Sequence, residues 1–302
     1  MGQFDNNGQG GGAHTADYYA QYESTITNGE ARIPICICVD TSSSMSFLNN
    51  DKSDTIRDGS VWIEDGKEVH GVKLKPGVKK ITKMDRLHKV LSTMITKMRQ
   101  NDIISKAAVI CIVSFDQFAD CFIEFTDVNR ISSNTPYNLE VGKDKTNVSK
   151  GIRMSLGRLD QIVSMNSNAG NDRYVPVLVF MSDGAPTDGS EAEEARIKVR
   201  QRSEDGKLNV IPISICGDSE GERWLRGLSK ESKVYHMDNE REFESVFAAI
   251  TERIKRTAMV LSIDEQDSNL ANQSIDDDTE NTLYGENNGD FLNDFLNSEY
   301  NG

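Results

Sequence analysis

Three short stretches of this 302-residue chain carry oxygen-bearing side chains at spacings that could hold a hard cation. The first is Asp40-Thr41-Ser42-Ser43-Ser44-Met45-Ser46, in which a carboxylate and two hydroxyls alternate along the chain. The second is Lys145-Thr146-Asn147, and the third is Ser182-Asp183-Gly184. Mg²⁺ asks for six oxygens at about 2.0–2.1 Å and keeps waters readily, so a few carboxylates among hydroxyls suit it. Taken singly, each stretch has a plainer explanation, because Ser and Asp also cap helices and begin turns. They act together only if the fold brings them to one place.

The elements that would do so are legible. IPICICVD, from Ile33, is a nearly all-apolar, β-branched run of the kind buried on both faces of a parallel sheet, and it ends at Asp40. Leu87, Val90, Leu91, Met94, Ile95 and Met98 recur at helical steps, as do Val148, Ile152, Leu156, Leu159 and Val163. AAVICIVSF reads as a second central strand, and CFIEFTD follows closely enough to be its antiparallel edge neighbour. YVPVLVFMSD reads as a further buried strand, then comes a polar helix over about 191–202, and then the strand LNVIPISICG. EGERWLRGLS, KVYHM and a helix carrying Phe243, Val246, Phe247, Ile250 and Ile254 close the order. Strands alternating with helices predict an α/β, doubly wound, mostly parallel sheet with one antiparallel edge strand and helices on both faces. In such a sheet, loops leaving the carboxyl ends of strands gather ligands, and the first and third oxygen-rich stretches are such loops. Residues 47 to about 83 interrupt the rhythm. There SVWIEDGKEVHGVKL places alternating runs about Asp65-Gly66, a hairpin signal. It reads as a surface decoration or as a flap over the neighbouring site.

On these residues the sequence resembles the von Willebrand factor type A family and its metal-ion-dependent adhesion site, over about residues 32 to 258. Asp40, Ser42 and Ser44 match the D-x-S-x-S loop, Thr146 the threonine of a second loop, and Asp183 the aspartate of a third. The resemblance implies that Ser42, Ser44 and Thr146 offer hydroxyl oxygen directly to Mg²⁺, or to Mn²⁺ or Ca²⁺, while Asp40 and Asp183 act partly through water. It further implies a position left for a Glu or Asp carboxylate of a partner protein. Two departures stand out. Ser43 replaces a frequent glycine, and the threonine loop reads Val-Gly-Lys-Asp-Lys-Thr, so Lys143 and Lys145 lie near the expected ion. The run Asp183-Gly184-Ala185-Pro186-Thr187-Asp188 and the closing Phe-rich helix look like the bacterial tellurite-resistance-associated branch. That branch implies a stress-response or phage-defence module with kinase and phosphatase partners.

Charge narrows the partners. Lys and Arg number 34 against 48 Asp and Glu, a net −14, but eleven of the acids and no base follow Ile263, leaving −3 for the remainder. Neither part has the basic surface that binds nucleic acid. No apolar run reaches the length of a membrane span, and the opening MGQFDNNGQGGG lacks a signal sequence, so the expectation is a soluble, cytoplasmic protein. Gly2 does not complete a myristoylation motif, since Asn6 stands where Ser or Thr belongs. Of five cysteines, Cys36, Cys38, Cys111 and Cys216 sit in apolar runs and read as core, with no zinc spacing.

Catalysis is the competing class, as a metal-dependent hydrolase or phosphoesterase, and a purely structural ion is a third. Against catalysis, His14, His70, His88 and His236 are dispersed, and no P-loop, GxSxG elbow or HExxH helix is present. Residues 1–31, rich in Gly, Asn and Gln, read as a flexible arm, unless Tyr18, Tyr19 and Tyr22 pack as a helical turn. Residues 261–302 read as an acidic disordered tail. Within it Phe291/Leu292 and Phe295/Leu296 repeat at helical spacing, as a docking motif or as a self-ligand offering Asp290 or Asp294.

Overall fold

The computed structural model describes residues 32–50, 54–64, 67–142, 145–168, 175–215, 217, 219–236, 248 and 251. The expected arm, the tail with its docking motif, the Asp65-Gly66 turn and the closing Phe-rich helix lie outside these residues, apart from Ala248 and Thr251. The chain divides into a unit of residues 1–258, which holds everything described here, and a unit of residues 259–302.

The strands are β1 (Ile33–Asp40), β2 (Thr55–Glu64), β3 (Lys67–Leu74), β4 (Ala108–Phe115), β5 (Ala119–Asp127), β6 (Val177–Ser182), β7 (Asn209–Ser214) and β8 (Tyr235–His236). The helices are α1 (Lys83–Gln100), α2 (Asp102–Ala107), α3 (Val148–Asn168), α4 (Ser190–Glu204) and α5 (Ser219–Arg226). Six strands form one sheet in the order β5-β4-β1-β6-β7-β8, parallel throughout except for the β4–β5 edge pair. The expected α/β sheet with one antiparallel edge strand is therefore what the chain forms.

β1 is buried along its whole length, as its unbroken apolar run requires. Cys36, Cys38, Cys111, Leu178 and Phe180 share one core with Ile152, Leu156 and Leu159 of α3, with Val199 of α4 and with Leu225 of α5. The alternate residues Ile35, Ile37, Ile110, Ile112 and Val179 are equally buried. α1 buries Leu87, Leu91, Met94, Ile95 and Met98 apart from that core, and so supplies a second layer. Three of the cysteines read as core, Cys36, Cys38 and Cys111, are buried free thiols; Cys216 lies outside the described residues. Pro212 sits inside β7 without breaking it, because β8 pairs only from Ile213 onward and leaves that edge unladdered at Pro212.

The interruption after β1 contains the hairpin β2–β3, antiparallel, with an irregularity between Arg57 and Val61. Gly59 in that bulge has φ of +92°, which a side chain rarely adopts. With two strands only, the hairpin has no layer of its own to cover an apolar face. Val61, Ile63 and Val72 accordingly stay exposed, Ile63 by 71%.

Candidate functional site

Strand order fixes where a site forms. From β1 the chain moves to β4 and β5 on one side, then returns to place β6 on the other side of β1. The carboxyl ends of β1 and β6 thus flank the switch point of the sheet, where loops diverge and leave a crevice. β1 ends at Asp40 and β6 at Ser182, immediately before Asp183.

Asp40 is fully buried and held on both oxygens: the Ser42 amide donates to Oδ1 at 2.8 Å, and the Ser182 hydroxyl donates to Oδ2 at 2.7 Å. A 3₁₀ turn, Ser43–Ser46, follows, with Ser42 at its cap position. The Ser42 hydroxyl does not cap that turn. It lies 3.1 Å from the Ser44 hydroxyl, which donates to Asp183 Oδ1 at 2.8 Å. The plainer explanation of Ser42 as a helix cap therefore fails, and the two hydroxyls join the carboxylates instead. Burial first, and then the nearby Asp183 charge, push the Asp40 carboxyl up to about 6 against the hydrogen bonds from Ser42 and Ser182. Two carboxylates held this close in a buried crevice favour a cation between or beside them.

Thr146 arrives from the loop before α3 and is buried. Its carbonyl accepts from both the amide and the hydroxyl of Thr187, each at 3.0 Å. Next to Thr187, Asp188 accepts from the Val148 amide at 3.3 Å and the Ser149 amide at 2.7 Å, capping α3 from another loop. The loop that begins with Asp183 is thereby fastened to the loop that carries Thr146. The first loop is fastened too: Thr41 donates its amide and hydroxyl to the Phe115 carbonyl at the end of β4, and its own carbonyl accepts from Gly142. On the far side of Asp183, α5 approaches so closely that a Cβ on Gly221 would stand 2.5 Å from the Gly184 carbonyl carbon.

Asp40, Ser42, Ser44 and Asp183 are thus linked by direct contacts and their immediate support, while Thr146 joins through the Thr187 tie. Three contributions were not anticipated from sequence, although Ser182 and Asp188 stand in runs singled out there. Ser182 orients Asp40, Asp188 fixes the start of α3, and Lys83 places its ammonium 2.8 Å from Asp183 Oδ2. Lys145 is exposed, and Lys143 lies outside the described residues.

Among the described residues, no three His, Cys, Asp or Glu side chains cluster as a metal-binding group. The donor set here is of another kind, two carboxylates with hydroxyls, which fits Mg²⁺ or Mn²⁺ rather than zinc. His70 faces Glu68, His88 contacts the Leu139 carbonyl, and His236 faces Glu222, so these three are engaged elsewhere. Among the described residues, no helix is long and apolar enough to cross a membrane.

In fold the chain is similar to the PilB minor pilin from Streptococcus sanguinis, with a TM-score of 0.52 at 16% identity, covering 78% of this chain and 64% of the pilin. A mutant of the same pilin gives a TM-score of 0.51 at 14% identity over the same shares. The chain therefore spans less than two thirds of the pilin's length, and at such identity the likeness is one of fold alone. BatB from Bacteroides thetaiotaomicron aligns over 75% of this chain and 99% of its own at 15% identity, with a TM-score of 0.44. No known family profile matches the sequence, and no curated protein does.

Proposed function

We propose that this chain is a protein-binding module of the von Willebrand factor type A kind, whose adhesion to an acidic partner depends on a divalent cation. One observation carries the reading: Asp40, Ser42, Ser44 and Asp183 are joined in one network at the switch point of the sheet, with the Thr146 loop tied to it. Asp40, Ser42, Ser44, Thr146 and Asp183 would hold the ion, Mg²⁺ by preference. The ion would supply an electrophilic position for a Glu or Asp carboxylate of the partner.

The protein's own part is to present oxygen without excess charge. Two carboxylates leave a dication only just neutralised, and hydroxyls from Ser42, Ser44 and Thr146 add donors without adding charge. Ser182 and the Ser42 amide fix Asp40 in orientation, so the donors are arranged before binding. Beside the Asp183 loop lies a cleft of about 150 Å³ lined by Ala185, Pro186, Ala192, Glu193, Glu220 and Trp224.

Binding, with no catalysis, is the activity proposed, and the protein is assigned to a bacterial cytoplasmic stress-response or phage-defence complex with kinase and phosphatase partners. That last assignment rests on the resemblance of the Asp183–Asp188 run. The test is retention of a partner by the immobilised full chain in Mg²⁺, repeated in EDTA and with Asp40→Ala and Ser42→Ala. Retention is expected to disappear in all three. Retention that survives chelation and both substitutions would contradict the reading.

A further inference from the structure

The first turn of α1 carries a residue in an unexpected place. Lys83 is the first residue of that helix, where the helix dipole disfavours a cation. Its ammonium does not turn away into water. It donates to Asp183 Oδ2 at 2.8 Å, with the lysine side chain 14% exposed and the aspartate 1%. Asp183 thus spends one oxygen on Ser44 and the other on Lys83.

The backbone keeps Lys83 there. Its amide donates to the Phe47 carbonyl at 3.1 Å, directly after the 3₁₀ turn that carries Ser44. Leu48 and Thr82 form a β-bridge, the Asn49 amide donates to the Ile81 carbonyl, and the Arg86 guanidinium donates to the Asn49 carbonyl. The acid of the same turn, Asp85, is occupied in a reciprocal capping box with Thr82 and leaves the Lys83 ammonium to Asp183. The start of the helix and the first oxygen-rich loop therefore form one strapped piece, with the ammonium at its inner edge.

We infer that Lys83 is a tethered competitor for the cation site, so that a divalent ion enters only by displacing its ammonium from Asp183. The inference rests on the cluster being a cation site. A monovalent cation built into the chain neutralises one buried carboxylate beside a second, Asp40. The same contact must be surrendered when a divalent ion takes that oxygen, which lowers apparent affinity. The charge-assisted hydrogen bond that is given up corresponds to about a tenfold or larger weakening of cation binding.

The experiment is calorimetric titration of the full chain with Mn²⁺, alongside Lys83→Gln, Lys83→Met and Lys83→Arg, with melting curves to establish that each is folded. Gln and Met are expected to tighten Mn²⁺ binding about tenfold or more, while Arg, which keeps a cation, stays near the wild-type value. Uptake by Lys83→Gln and Lys83→Met alone, with the wild type below detection, is the stronger form of the same result. Equal or weaker affinity in folded Gln and Met variants overturns the role of Lys83 and leaves the cation site standing. No Mn²⁺ uptake by any folded variant removes the cation site, and the inference with it.

Discussion

At the scale of single residues, the site is a matter of who orients Asp40. Its two oxygens take a backbone amide from Ser42 and a hydroxyl from Ser182, 142 positions away. Ser182→Ala removes the second donor from a fully buried carboxylate, and an unsatisfied buried group costs about 1–3 kcal/mol, so chemical denaturation should show a loss of that size. Ser42→Ala should weaken Mn²⁺ binding with a smaller loss of stability, since the Ser42 amide that supports Asp40 remains. A second pair tests the folded body away from the site. Burial works to raise the Asp127 carboxyl, but the Arg32 guanidinium and the Asn129 amide outweigh it and hold it below its ordinary value. A group lowered by folding contributes stability above its unfolded pKa, about 3.9, and loses that contribution as pH falls through the folded value. Asp127→Asn should therefore lose less melting temperature between pH 6 and pH 3 than the wild type. Asp40, Ser42, Ser44, Thr146 and Asp183 could be picked out in the sequence because they stand in oxygen-rich loops and match, one by one, the loop pattern of the family the sequence resembles. The roles of Ser182, Lys83 and Asp188 could not, since each acts across 39 to 142 residues on a partner that only the fold reveals.

At the scale of elements, the loops are held by helices rather than by one another alone. Asp188 caps α3 from the Asp183 loop, and replacing such a cap with Ala costs about 1 kcal/mol. Asp188→Ala should show that loss in denaturation and should also weaken Mn²⁺ binding, because the Thr146 loop leads into α3. Gly221 lets α5 sit against Gly184, and Gly221→Ala must push the helix off or move the loop, at about 1–3 kcal/mol. The strongly periodic helices and the apolar strands were legible because burial on one face leaves a regular imprint. α1 buries Leu87, Val90, Leu91, Met94, Ile95 and Met98, as their spacing requires. The six residues of α2 leave no such imprint; Asn101 starts that helix by accepting from the Ile104 amide. Among the described residues of KVYHM, two form a ladder, Tyr235 against Ile213 and His236 against Ser214 of β7. The β2–β3 hairpin was visible in its alternation, but alternation alone does not supply something to pack against, and Ile63 and Val72 remain exposed.

At the scale of the whole molecule, the sheet order does the positioning. β1 lies between β4 and β6 with the chain reversing its direction of travel across the sheet, so the two acidic strand ends meet where the loops part. Fold and site are separable in this arrangement: the apolar faces of β1, β4 and β6 lie beneath, and the oxygen donors lie at the rim. Substituting the donors should therefore change cation binding far more than it changes melting. The most direct test is Mn²⁺ binding to the full chain, read as stoichiometry together with thermal melting, for the wild type, Asp40→Asn and Asp183→Asn. The account predicts one ion per chain, in the wild type or, where Lys83 holds the wild type below detection, in Lys83→Gln, and none once either aspartate is replaced in that background, with cooperative melting retained throughout. Uptake that is the same in the wild type and both folded variants, or absent from the wild type and from Lys83→Gln alike, would contradict it.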